Sequence, residues 1–361
     1  MAERKFHCDG CGAHVAFSPE AQRLVCPYCG TEKARPESEA EVVEHDLGGA
    51  LEKGFAEAPT VEAQTLRCGA CGATTRIEGH VLASRCPFCD TPFTAPPTAE
   101  RVLLPQATLP FRVEARDARE AFSKWMAGRW FAPNDLLRRA RKEGLDGVYL
   151  PFFTFDATTE TWYRGERGDH YYETESYTAY ENGEAVRRSR TVQRTRWWPT
   201  SGAVFLGFDD VLVLASQGLP ESLVRKLEPW DLDALVPHDE SFLSGFTAEI
   251  DQRGLKDGFA ECKTRCEPEI QRQVRRDIGG DVQRIHHHNT AWSGVTFKHV
   301  LLPVWVGAFR YRDAVYRVVV NARTGEVQGE RPWSWWKIGA TVLAAAVLIA
   351  VLYALFGDEL G

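Results

Sequence analysis

The chain has 361 residues and a formal net charge of −7, with 43 Lys and Arg against 50 Asp and Glu. That length allows two small modules and one sizeable globular domain. The acidic balance argues against nucleic acid as a partner, because nucleic-acid modules normally present a basic face.

The N-terminal stretch Met1–His7 is polar and lacks the apolar core of a secretory signal, so the chain is expected to stay in a reducing compartment. Cysteines there are metal ligands rather than disulfides. Cys8 and Cys11 are followed, after fourteen residues, by Cys26 and Cys29. Cys68 and Cys71 are followed, again after fourteen, by Cys86 and Cys89, sixty residues further on. This is an internal duplication. Each copy offers four thiolates, the complement for one tetrahedral Zn²⁺. The two-residue gap lets one tight turn aim two sulfurs at one ion, with Gly10 and Gly30 as small residues where the backbone crowds the metal. Four protein ligands close the site, so both zinc ions are expected to be structural. Two such centres add −2 each, taking the net charge to about −11. The first ribbon (1–33) carries four Lys/Arg against four Asp/Glu and the second (65–95) three against two, so neither has a basic face.

Residues 34–64 form an acidic linker. Val43, Leu47, Leu51 and Phe55 recur every four residues, which predicts an amphipathic helix over 41–56 docking on the body. Pro92, Pro96 and Pro97 mark the exit from the second ribbon. The body runs over 96–332. A helix is predicted over 113–128, with Ala118, Phe122, Trp125 and Met126 on one side. Asn134, after Pro133, caps another short one. Residues 147–158 read as an apolar strand, with Pro151 implying an edge or a bulge. Asn182-Gly183 is a strong hairpin signal. Pairing Glu181 with Glu184 opposes Glu175 to Arg190, Tyr177 to Arg188, Tyr171 to Arg194 and Asp169 to Arg196. The arginine stripe is then a self-neutralised ladder rather than an anion site. The other face, with Tyr172, Thr174, Ser176 and Thr178, is also polar, so the hairpin should project from the core or pack on a partner.

Residues 204–215 are predicted strand, 220–227 a short helix, and 247–277 a long helix, bent at Pro268. Its apolar stripe is Leu255, Phe259, Cys262, Cys266, Ile270 and Val274, which makes the last two cysteines core thiols. From Asp281 the chain is strand-rich. His286, His287 and His288 lie on a strand with no third ligand in sight, so no metal is expected there. Asp209 and Asp210 point to opposite faces of a strand. Residues 315–320 lead through a turn at 321–325 into a last strand. No nucleophile elbow, phosphate loop or dinucleotide fingerprint occurs, so no enzymatic activity is expected.

Residues 338–356 contain no charge over nineteen positions, a helix of roughly 28 Å that matches a bilayer core. The anchor segment (333–357) opens with Trp333, Trp335 and Trp336 at headgroup level, and Arg331 and Lys337 flank the same side. The positive-inside rule places the bulk of the chain in the cytosol, the span in the cytoplasmic (inner) membrane, and the C-terminus outside. Ala346, Ala350 and Ala354 would permit close helix approach and a weak homodimer. The fold class is α+β: two four-cysteine zinc ribbons, a body with an antiparallel sheet, and one C-terminal transmembrane helix.

These segments together resemble the bacterial TFIIB-type zinc-ribbon, single-span membrane proteins, sometimes labelled after the primosomal helicase. The resemblance rests on the two cysteine sets and on GVYLPFFTFD (147–156), FDDVLVLAS (208–216), PWDL (229–232), DIGGDVQRI (277–285), TFKHVLLPVW (296–305) and NARTGEVQGERPWSWWKI (321–338). The helicase label does not fit, since no ATPase motif is present. The resemblance implies partners among phage-shock-type or SPFH-type membrane proteins, and a membrane-stress or maintenance complex. It supplies no catalytic residues. The reading that follows is a membrane-tethered adaptor. The alternative is a membrane-held nucleic-acid binder, against which the neutral ribbons count.

Overall fold

The computed structural model describes residues 6–35, 41–53, 60–77, 85–93, 96–136, 144–181, 184–312 and 314–356. The first ribbon is a separate three-stranded antiparallel sheet of β1 (Ala16–Ser18), β2 (Arg23–Val25) and β3 (Glu32–Lys33). The linker contributes β4 (His45–Asp46) and α1 (Leu47–Lys53). Then come β5 (Thr60–Arg67), β6 (Thr74–Ile77), β7 (Thr98–Leu103), β8 (Ala107–Thr108) and α2 (Ala115–Ala127). Two very long strands follow, β9 (Asp146–Glu181) and β10 (Glu184–Leu214). After α3 (Glu221–Val224) and short 3-10 turns come β11 (Val236–Pro237), β12 (Thr247–Glu249) and α4 (Leu255–Ile278). The chain ends with β13 (Val282–Tyr311), β14 (Ala314–Asn321), β15 (Val327–Gly329) and α5 (Trp335–Phe356).

One twelve-stranded sheet organises the body, in the order β11-β8-β13-β9-β12-β6-β5-β7 with β10, β14, β15 and β4 added beside it. The expectation of an antiparallel sheet needs correction. β8 runs parallel to β13, and β12 runs parallel to β9, so the sheet is mixed. Both parallel strands are two- or three-residue segments. Alternation in sequence reports which face is buried but not which way a neighbour runs. The strands on either side of Cys68 and Cys71, β5 and β6, belong to this same sheet, joined to the body through β12.

The core sits on both faces of β9 and β13. Val148, Leu150 and Phe152 point to one face, with Val300, Leu302, Val304 and Val306. Tyr149 points to the other with Phe111 and Trp305, and further along that face Phe153 and Phe155 meet α4. Apolar residues at every position, rather than every second one, are what a strand covered on both sides needs. Pro151 therefore lies inside the sheet, not at its edge. Its carbonyl accepts from Ala215 N–H at 2.9 Å, it has no N–H to return, and the β10 ladder stops one residue away at Leu214.

The helix over 113–128 is present as α2, with Ala118, Phe122 and Met126 buried and Gly128 at its C-cap. α4 begins at Leu255 rather than 247, because residues 247–249 extend into β12 and Gly254 occupies the N-cap. It continues through Pro268 and buries Leu255, Cys262, Cys266, Ile270 and Val274. Cys262 and Cys266 are core residues, as the stripe predicts. The linker helix is shorter than 41–56. Leu47 is buried beside Phe153, Phe155 and Phe297, while Val43 and Leu51 are exposed. Asp46 starts it by accepting from Gly49 N–H at 2.6 Å, after a two-residue strand on β13. Phe55, residues 137–143, and the turn residues Asn182 and Gly183 lie outside the described residues.

Candidate metal centres

Each Cys-x-x-Cys pair is built from the same backbone turn. The carbonyl of Cys8 accepts from Gly12 N–H, and the N–H of Cys8 donates to Ala13 O. Cys26 does the same with Gly30 and Thr31, Cys68 with Gly72 and Ala73, and Cys86 with Asp90 and Thr91, at 2.7 to 3.0 Å. The residue one past each pair takes a left-handed conformation: Gly12 at φ 74°, Gly30 at 73°, Gly72 at 80° and Asp90 at 57°. Three of the four are glycine for that reason, and the fourth is a residue type that tolerates the region. Gly10 is small for a different reason, since a Cβ there would stand 3.2 Å from the Thr31 hydroxyl.

The four sulfurs of each set lie within 4.8 Å of one another. Cys8 Sγ is 3.4 Å from Cys29 Sγ, and Cys11 Sγ is 3.5 Å from Cys26 Sγ. The second set gives 3.5 Å for Cys68–Cys89 and 3.6 Å for Cys71–Cys86. A tetrahedron with metal–sulfur bonds near 2.3 Å has edges of about 3.8 Å, so both sets fit one metal ion. Cys29 is held down at about 6, first by the Thr31 hydroxyl, and Cys71 at about 5, first by Cys86. Cys86 is pushed up, first by Cys71 and then by burial. Sulfurs this close share protons, and a divalent cation removes the conflict by taking all as thiolates. Among the described residues these are the two groups of three or more His, Cys, Asp or Glu able to hold an ion.

The two copies differ in setting. In the first, Cys8 and Cys26 are buried but Cys11 and Cys29 are exposed. In the second, Cys68, Cys86 and Cys89 are buried. Tyr28 and Phe88 occupy the same position in the repeat. Tyr28 is 82% exposed, whereas Phe88 is fully buried and its carbonyl accepts from Arg317 Nε at 3.0 Å. The first ribbon is fastened to the body along its other side. Phe17 N–H donates to Ser244 O at 2.9 Å, the Ser244 hydroxyl donates to Val15 O at 2.6 Å, and the Phe17 ring meets Phe242 edge-on at 5.3 Å.

The hairpin has the predicted register throughout: Glu184 faces Glu181, Arg188 Tyr177, Arg190 Glu175, Arg194 Tyr171 and Arg196 Asp169. Arg194 pairs with Glu173 at 2.8 Å and with Glu175, and Arg190 reaches Glu175 at 3.3 Å. Arg190 also lies over the Tyr177 ring and Arg196 over Tyr171. The two arginines hold the Glu175 carboxyl below its ordinary range, Arg194 first. Arg190 and Arg194 are thus paired within the hairpin, while Asp169, opposite Arg196, pairs with Arg167.

The histidines are not brought together on a metal. A bulge between Ile285 and His287 inserts His286 into β13, where it faces Glu166 at 3.5 Å, while His288 meets Glu267 at 2.7 Å. One polar cluster escaped the sequence reading. Lys298, largely buried, donates to Glu44 at 3.1 Å and forms an ion pair with Asp210 at 2.8 Å. Asp156 accepts from Asp210 N–H at 2.5 Å and is pushed up to about 6, first by burial. Glu44 is held down, first by the Thr296 hydroxyl. The cluster ties the linker to the body. Its members lie up to 254 positions apart, and no local pattern marks them.

α5 contains one stretch, Trp335–Tyr353, long and apolar enough to cross a membrane, with mean hydropathy 2.0 and no part buried. It is compatible with a membrane anchor.

A curated relative is 26% identical over 357 residues, covering 93% of this chain and 92% of its own: the uncharacterized protein YdjG of Bacillus subtilis (strain 168). No family model matches the chain, and no solved structure matches it.

Proposed function

We propose that this protein is a membrane-tethered adaptor that holds a protein partner at the cytosolic surface of the inner membrane, with one structural zinc ion in each cysteine set. The supporting observation is the arm formed by the outer halves of β9 and β10. β13 pairs with β9 only as far as Gly168. Beyond it, residues 169–181 and 184–196 pair only with each other, a two-stranded arm on the order of 40 Å long. Two strands alone are marginal in water. This arm buries almost nothing, pairs Arg190 and Arg194 with its own carboxylates, and displays Tyr172 and Tyr180 at 70% and 78% exposure. Aromatic and polar side chains around unpaired strand edges suit a protein partner. The partners proposed are membrane proteins of the phage-shock or SPFH type, the class that the sequence resemblance implies. Zinc follows from the all-thiolate sets. The cytosolic orientation follows from Arg331 and Lys337 on the body side of α5.

The test replaces residues 171–194 by Asn-Gly, closing the hairpin at His170 and Thr195. Full-length protein and variant are purified from detergent-solubilised membranes. The expected result is equal zinc and equal membrane retention, with partner proteins captured by the full-length chain and lost from the variant. An unchanged partner set contradicts the adaptor reading. So does micromolar DNA binding by residues 1–332 that weakens with added salt, which would restore the nucleic-acid alternative.

A further inference from the structure

A groove of about 800 Å³ lies where the body meets the start of α5. Its wall on the body side carries Tyr311, Arg312 and Tyr316, and its wall on the anchor side carries Arg331, Trp333 and Lys337. The charge in it is one-sided. Among the described residues no carboxylate pairs with Arg312, Arg331 or Lys337. Arg312 lies over the Tyr311 ring at 5.6 Å and Arg331 over the Trp333 ring at 4.4 Å. Lys337 donates only to the carbonyls of Trp130 and Ala132, at 3.0 and 2.8 Å. The nearby Asp135 carboxylate accepts from the Tyr311 hydroxyl at 3.1 Å and has other engagements. Burial, and then the neighbouring Arg129, hold the Arg331 guanidinium below its ordinary value. Arg129 itself stacks on Trp125 and leaves its buried Nε without a partner.

We propose that this groove binds the phosphate of an anionic phospholipid headgroup. The position selects a lipid over a free anion. The groove opens at the first turn of the apolar helix, level with the exposed Trp333, Trp335 and Trp336, which is where headgroups lie if α5 spans. Guanidinium groups recognise phosphate through paired N–H donors, and the tyrosine and tryptophan rings already orient them. A phosphate placed between Arg312 and Arg331 would also relieve the like-charge contact with Arg129. The bound lipid would fix the angle at which the body leaves the membrane. The proposal rests on α5 being a membrane anchor and is independent of the adaptor's partner.

The experiment uses the full-length, zinc-loaded chain in a non-ionic detergent, observed by native mass spectrometry. Phosphatidylglycerol, phosphatidylcholine and inorganic phosphate are the probes. Retained phosphatidylglycerol is expected, with a preference over phosphatidylcholine of about tenfold, the scale of one to two basic contacts with an anionic headgroup. The Arg312→Gln/Arg331→Gln variant is expected to lose that preference while keeping its zinc and its membrane association. Equal retention of the two lipids overturns the proposal. So does a double variant that keeps the preference, or displacement of the lipid by millimolar inorganic phosphate, which would mark a free-anion site. Alkaline extraction of membranes is read separately. Release of the chain there refutes the anchor itself, and with it the headgroup site.

Discussion

Glu249 is the carboxylate whose surroundings conflict most with its charge. It is the last residue of β12, the short strand that joins the second ribbon to the body, paired with Thr75 on one side. The side chain is 2% exposed. One oxygen accepts from Gly218 N–H at 3.1 Å, and the other has no partner. Burial pushes the carboxyl from 4.5 up to about 8. A carboxyl raised in the folded state stabilises it fully below 4.5 and loses that contribution as pH rises through about 8. The whole interval corresponds to about 5 kcal/mol at full burial, and the part between pH 6 and 8 to about 3 kcal/mol. Glu249→Gln keeps the acceptor for Gly218 and removes the titration. Chemical denaturation of the zinc-loaded chain in detergent, followed by tryptophan fluorescence between pH 6 and 9, measures both proteins where the thiolate sites hold metal. Relative to the variant, the native chain is expected to lose about 2–3 kcal/mol over this range, allowing for a compact unfolded state. Parallel pH dependences in the two proteins would refute the reasoning.

Cys26→Ser is expected to leave one zinc per chain and to reduce hydrogen-exchange protection most within residues 6–35, because β1, β2 and β3 form their own sheet. Cys86→Ser should lose the other zinc and lower the melting temperature of the whole body more than Cys26→Ser does, because β5 and β6 pair within the main sheet whereas β1, β2 and β3 do not; equal effects of the two substitutions would contradict this. Phe17→Ala, at a 3% exposed position against Phe242, should cost about 3–5 kcal/mol of docking, seen as faster proteolysis within the first ribbon with both zinc ions retained. Unchanged cleavage would show that the Phe17 contact does not fasten the ribbon.

The local features were legible where one segment carries its own signal. The cysteine spacing identifies both ligand sets. The Asn-Gly dipeptide, with one pairing chosen, gives every cross-strand partner from Asp169 to Arg196. The 3.6-residue period marks the buried sides of α2 and α4. What stayed hidden depends on partners distant in sequence. Residues 147–158 and 204–215 read as strands separate from the hairpin, yet all of them form two strands of 36 and 31 residues, because a strand continues while a neighbour supplies hydrogen bonds. β12 reads as helix since its three residues have no period of their own, and only the gap between β9 and β6 makes them a strand. Asp90 gives no glycine signal, although it closes the same turn as Gly12, Gly30 and Gly72.

The duplication therefore produced two sites with one chemistry and two structural roles. In the second copy the metal would sit under Phe88, inside the main sheet, so its binding free energy adds to the stability of the body. In the first copy the equivalent ring is Tyr28, which carries a hydroxyl and stands in solvent, and two of the four ligands are open to water. A metal there would lie in a sheet of its own, β1-β2-β3, although Cys8 and Cys26 pack in one cluster with Tyr149 and Trp305. What it would hold in shape is the outer surface of a module fastened through Phe17 and Ser244. Under the proposed adaptor reading, that outer surface is a second candidate contact face beside the arm.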